Sequence, residues 1–117
     1  MEGPAQIVSL KNAEHYLWGA NCDGWHLVKQ GSLSVIEERM PPGTSEVRHR
    51  HIHARQFFYA LAGDLTIEIE DHEYTLRPGE GIEVQPGQRH QAKNLGQQDA
   101  RMLVISQPPS HGDRVEV

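Results

Sequence analysis

The chain has a single cysteine, Cys22, so no internal disulfide can form and a reducing compartment is expected. Cys22 sits in a CDGW stretch with no motif around it. No apolar run approaches the roughly 20 residues needed to span a bilayer, and the N-terminus has no signal-peptide-like apolar core. These absences predict a cytoplasmic protein with no membrane partner. Positive charge is in deficit as well. The formal net charge of −5 leaves no overall attraction for nucleic acid or anionic lipid. There is no Gly-rich phosphate loop, no Ser-His-Asp or Cys-His nucleophile arrangement, no internal repeat and no low-complexity segment. The 117 residues fit one domain with its own core.

What is present is a series of short apolar-alternating stretches separated by turn residues. Strands are predicted over 7–10, 25–29, 33–40, 47–53, 56–61, 65–70, 74–76, 82–84 and 100–107, with a further one starting at His90. Leu65, Ile67 and Ile69 alternate with Thr66, Glu68 and Glu70, which is the period of a half-buried strand. Pro41-Pro42-Gly43 ends the strand over 33–40. Residues 21–24 and 30–32 read as turns, and 62–64 as a tight hairpin. Residues 1–4 read as a loose end. Residues 108–117, including an idle His111, read as a loose tail. Residues 5–20 read as an arm that covers its own sheet or contacts a second copy, and within it Tyr16, Leu17 and Trp18 make 12–18 either an edge strand or a packing arm. Trp18 and Trp25 read as packing anchors. With no helical period, the pattern argues for an all-β sandwich or barrel.

The most unusual stretch is PGTSEVRHRHIHARQFFYALAG, residues 42–63. His49, His51 and His53 alternate, so on a strand all three project to one face. A core-facing strand ordinarily carries Val, Ile or Leu there. A solvent-facing strand would produce the same alternation, but a row of neutral imidazoles also suits Zn, Cu, Fe or Ni. Neighbours two apart stand roughly 6.6 Å apart along the strand and those four apart roughly 13 Å. One ion can therefore take His49 with His51, or His51 with His53. The leftover histidine is then a supporting residue or lies at a cavity mouth. A two-histidine strand site needs another ligand, and the strong downstream candidate is His90. Arg48 and Arg50 alternate with the histidines and are expected to face solvent.

Two stretches carry a family resemblance. Gly43 is followed by five residues, then His49 and His51, then Gln56 and Gly63. Gly79 is followed by five residues, then Gln85-Pro86-Gly87, His90 and Asn94. This resembles the two motifs of small single-domain cupins, over roughly residues 34–106. The resemblance implies a double-stranded β-helix, or jelly-roll, with ligands inside one open end. It selects His49 and His51 over His53, and implies metal ligands at His49, His51, Gln56 and His90. Gln85 replaces a proline of the pattern. Gln56 replaces the usual glutamate, and so brings no charge to the ion and no base. His53, Phe58, Met102 and Val104 are candidate cavity-lining residues. The resemblance also implies a homodimer contact through the N-terminal arm.

Three functions are consistent with these residues. The first is a metal-dependent enzyme acting on a small organic molecule. Dioxygenase chemistry on Fe, Mn, Ni or Cu is the commonest outcome in the superfamily, although no general base is evident beside the metal. The second is a non-catalytic small-ligand-binding or sensory module. The third is a structural protein holding Zn.

Overall fold

Alternation of side chains decides the architecture, because each strand has one face that must be covered. The computed structural model describes residues 3–117, so the first two residues of the expected loose end lie outside the described residues. The eleven strands are β1 (Glu14–Trp18), β2 (Cys22–Lys29), β3 (Ser34–Met40), β4 (His49–His51), β5 (Arg55–Ala62), β6 (Leu65–Ile69), β7 (His72–Leu76), β8 (Gly81–Val84), β9 (His90–Lys93), β10 (Ala100–Gln107) and β11 (Arg114–Glu116). They form two antiparallel sheets, ordered β1-β2-β3-β10-β5-β8 and β11-β4-β9-β6-β7. This is the all-β, double-stranded β-helix arrangement, with two facing sheets that do not close into one barrel. No helix among the described residues is long and apolar enough to cross a membrane.

The core fills one end of the sandwich with Met40, Leu65, Ile67, Val84, Ala92, Ala100 and Met102. The other end is lined partly by polar residues. Gly63, at φ 68°, lies so close to the backbone of Asp99 that a Cβ there would overlap its carbonyl oxygen. Asn94 is fully buried. Its amide nitrogen donates to the carbonyls of Met40 and Gln98, both at 2.8 Å, and its oxygen accepts from Gly96 N–H at 2.9 Å. It thereby ties the end of β9 to the end of β3.

Several expectations need correcting. Residues 7–10 form no strand, and Ile7 is 91% exposed. Residues 21–24 are not simply a turn, since β2 starts at Cys22. The histidine strand is short, because only His49–His51 keep the ladder. The C-terminal tail is not loose. β11 pairs with β4, with Arg114 opposite His51 and Glu116 opposite His49. The Asp113 carboxylate accepts the backbone N–H groups of His53 at 2.9 Å and Ala54 at 2.8 Å. Burial pushes that carboxyl's pKa up, but these two amides together with the nearby His53 and His51 rings outweigh it, and the net shift is downward. The physical reason for the difference is pairing. A polar three-residue strand has little apolar signal of its own, yet it covers an otherwise open edge of β4.

Candidate metal centre and cavity

Strand pairing assembles the histidine cluster. His49 on β4 lies directly opposite His90 on β9. Their ring centroids are 4.4 Å apart, and His51 lies 4.8 Å from His49 and 5.5 Å from His90. One nitrogen from each of the three can be chosen so that all lie within 4.8 Å of one another. All three side chains are buried.

Hydrogen bonds set which nitrogens are available. His49 Nδ1 lies 2.7 Å from the Val47 carbonyl, and His90 Nδ1 lies 3.0 Å from the Gln88 carbonyl. A carbonyl only accepts, so each ring donates from Nδ1 and keeps a lone pair on Nε2. Such a backbone contact commonly orients a metal-ligating histidine. His51 is only 4% exposed, yet neither ring nitrogen has a partner. Buried polar atoms without partners are uncommon and costly. Burial pushes His49 down to about 3. Burial, with His90 nearby, pushes His51 down to about 4. Burial lowers His90 as well. The imidazoles are therefore neutral at pH 7, which is the ligating form. The donor set, its tautomers and the two orphaned nitrogens of His51 fit a divalent ion.

Gln56 is buried beside this cluster. Its amide nitrogen donates to Ser106 Oγ at 2.9 Å, and its oxygen lies 3.1 Å from His90 Nε2. In that orientation two acceptors face each other, and a cation between them removes the conflict. Turning the amide over also removes it, with Gln56 donating to His90 and Ser106 donating to Gln56.

The cluster opens on a cavity of about 300 Å³. His49, His51, Gln56, Phe58 and Val104 line it, whereas His90 is enclosed behind them. Two other sequence candidates fall elsewhere. His53 is exposed past the end of β4, where the ladder stops and the chain turns toward β5, so it does not reach the cavity. Met102 is fully buried in the core between Glu38 and Ala60, its partners on the flanking strands. His111, expected to be idle, lies at the cavity wall with its ring 5.9 Å from that of His26. Trp18 also lines the cavity, and its indole N–H donates to the Asp23 carbonyl at 3.1 Å. Trp25 lies elsewhere, with the Arg101 guanidinium 5.6 Å from its ring centre.

Sequence reasoning missed two carboxyls in the cavity wall, Glu38 and Glu46. Burial is the main cause that pushes Glu38 up to about 8, with Glu46 adding to it. Burial likewise pushes Glu46 up to about 7, against a hydrogen bond from the Ala92 amide. The signal for Glu38 was available. It shares its strand face with Ile36 and Met40, which are both buried, so a carboxyl there points inward. Beside it stands Tyr16, whose ring lies over Gly24, a residue paired with both Tyr16 and Glu38. A Cβ on Gly24 would overlap the Tyr16 ring. Gly24→Ala is therefore expected to expel that ring and destabilise the protein by roughly 1–3 kcal/mol, as measured by chemical unfolding. An unchanged unfolding midpoint would show that the Tyr16 ring does not depend on that gap.

The family model described as Cupin domain matches residues 36–106. The chain is 27% identical over 89 residues to the uncharacterized protein MJ1618 of Methanocaldococcus jannaschii, covering 75% of this chain and 71% of that protein. It is 32% identical over 78 residues to the tetracenomycin polyketide synthase protein TcmJ of Streptomyces glaucescens, covering 67% of this chain and 51% of that one. The chain thus spans about half the length of the polyketide synthase proteins it matches. Among solved structures, the polyketide cyclase RemF from Streptomyces resistomycificus superposes with a TM-score of 0.82 at 18% identity, covering 97% of this chain and 86% of that one. At that identity the likeness concerns the fold alone.

Proposed function

Because this chain belongs to the cupin family, we propose that it is a metal-dependent enzyme acting on a small, oxygen-bearing organic molecule. The observation that carries this reading is the buried His49, His51 and His90 cluster opening on a cavity, with both His51 nitrogens unpartnered. In this proposal the three histidines hold the ion and the Gln56 oxygen is the fourth ligand. A divalent metal supplies Lewis acidity to a bound oxygen, and redox chemistry if it is Fe, Mn or Cu.

The chain's own residues do the rest. Phe58, Ile36 and Val104 exclude water and give a flat substrate an apolar wall. Glu38 and Glu46 stand where protons can be taken up or returned. Such a cavity suits proton-transfer chemistry on a polycarbonyl or phenolic substrate, in keeping with the polyketide synthase names among the relatives. Dioxygenation is a second reading, favoured by the three neutral imidazole donors. The proposal also takes the protein as a homodimer. It puts the contact on the outer edge of β1, whose inner edge is paired with β2.

The test starts from elemental analysis of untagged protein and of His90→Ala. Near-stoichiometric Fe, Mn, Ni, Cu or Zn that is lost in the variant supports the reading. No metal, or metal indifferent to His90, overturns it. The loaded protein is then incubated with synthetic poly-β-carbonyl and phenolic compounds in an oxygen electrode. A rearranged product without oxygen uptake identifies proton transfer, and uptake identifies dioxygenation. Binding without turnover identifies a ligand-holding module. Zn with four protein ligands and no binding identifies a structural site.

A further inference from the structure

We propose that Glu38 and Glu46 are the anionic part of the metal centre, held outside the ligand set. When an ion occupies the three imidazoles, these carboxyls release protons to balance its charge and leave a carboxylate facing the cavity. The inference rests on the metal-binding reading above and extends it to Glu38, outside both sequence motifs, and to Glu46, at one of the unspecified positions between Gly43 and His49.

The geometry begins with charge. Three imidazoles and an amide are neutral, so a divalent ion held by them keeps its full double charge. Isolated charge in a closed site is costly unless something of opposite sign lies near. Glu38 and Glu46 line the same cavity as His49 and His51. Neither takes part in an ion pair among the described residues, whereas Glu37, Glu68, Glu70, Glu73 and Glu83 each have at least one. Glu37 and Glu38 are adjacent on β3 and face opposite ways: Glu37 pairs with Arg101 at 3.4 Å, while Glu38 has no ion-pair partner and only Arg114 near enough to favour its charged form. One Glu46 oxygen is held by the Ala92 N–H at 2.9 Å, which fixes the side chain without neutralising it.

The titratable and charged groups facing the pair from the other walls are Tyr16, His49, His51, His111 and Arg114. Arg114 is the sole cation among them, and its guanidinium donates to the Val47 carbonyl at 3.1 Å rather than to either carboxyl. An independent observation points to a ligand in this space: His51 borders the cavity, is 4% exposed and has no partner on either nitrogen.

Both residues are half-buried in the cavity wall; without an ion, burial keeps Glu38 largely protonated at pH 7 and Glu46 about half protonated. A nearby positive charge favours the ionised form, by about 1–3 pKa units when it lies within ~4–6 Å. Ion uptake therefore breaks a carboxyl O–H bond and sends the proton to solvent, with no electron transferred. The resulting carboxylate answers what the sequence appeared to lack, a base in the cavity.

Proton release measures this directly. Zinc chloride is titrated calorimetrically into the metal-stripped full chain at pH 7, in two buffers of different ionisation enthalpy. The difference between buffers gives the protons released per ion. The expected value for the unsubstituted protein is roughly one. In the Glu38→Gln, Glu46→Gln double variant it should fall to near zero, and zinc affinity should drop about tenfold. Infrared difference spectra of the unsubstituted protein supply a second readout that needs no variant: zinc should remove a protonated-carboxyl band. Equal proton release by both proteins, or a carboxyl band that survives zinc binding, overturns the inference while leaving the metal centre standing. No zinc binding, or binding that survives His51→Ala, overturns the metal centre and the inference with it.

Discussion

His51→Ala is expected to abolish tight metal binding while leaving the metal-free protein as stable as before, or more so. Removal of one of three protein donors should weaken zinc binding by at least about a hundredfold, since loss of a merely supporting partner already costs 10–100-fold. The stability half of this expectation is less obvious. Truncating a buried side chain ordinarily costs a few kcal/mol, because packing is lost. At His51 a second effect opposes that loss. Both ring nitrogens are buried without partners, so the folded metal-free protein already bears their desolvation cost, and alanine removes it. The new space also adjoins an existing cavity rather than a sealed core. Urea unfolding of stripped protein, with competitive zinc titration, separates the two effects. His90→Ala provides the contrast. His90 donates to Gln88 and packs edge-on against Phe58, at a ring distance of 6.1 Å, so its loss should destabilise the stripped protein as well. A His51→Ala variant that keeps its zinc would overturn the metal centre as assigned.

The second large effect is a stability plateau in the stripped protein between about pH 4.5 and 6.5, with losses on both sides. His49 and His51 titrate at about 3 and about 4 in the fold, against 6.5 when unperturbed. Between those values the unfolded chain binds more protons, so stability falls as pH drops through that range. Glu38 and Glu46 act with the opposite sign. Their folded values of about 8 and about 7 lie above the unperturbed 4.5, so the folded state binds more protons and stability falls as pH rises. From about 4.5 to 6.5 the two trends oppose and largely cancel. Below that window the histidine loss continues alone, and above it the carboxyl loss does. Each limb should amount to about 2–4 kcal/mol, since one pKa unit corresponds to about 1.4 kcal/mol. Urea midpoints measured from pH 3.5 to 9 would trace the curve. Substituting glutamine for both Glu38 and Glu46 should flatten the alkaline limb and leave the acid limb. A stability that keeps rising to pH 8 in the stripped protein would contradict the environments assigned to these carboxyls.

If zinc draws the protons off Glu38 and Glu46, the same two groups should no longer weaken the loaded protein at alkaline pH. The calorimetric and stability experiments thus examine one pair of side chains from two directions. Family membership alone could not have supplied that pair, because a fold hosts many chemistries and its sites depend on particular residues.

The sequence by itself determined the strand pattern, the two histidine motifs and the presence of Gln56 beside them. Those features are local. Alternation along a strand needs only the chain's own period, and the distance from His49 to His51 follows from strand rise. The placement of His90 opposite His49 is a cross-strand fact, and motif spacing anticipated it without geometry. Tertiary structure alone decided the rest. Whether His53 joins the cluster depends on where the β4 ladder ends, and an Asp113 sixty residues later holds the backbone at that end. Whether residues 114–116 form a strand depends on a free edge of β4 rather than on their own apolar content. Glu46 lies outside any strand, so no period aims its carboxyl, and only the fold brings it to the cavity wall beside Glu38. A carboxyl's tendency to hold its proton comes from what surrounds it in space, and those surroundings are contributed by distant segments of the chain.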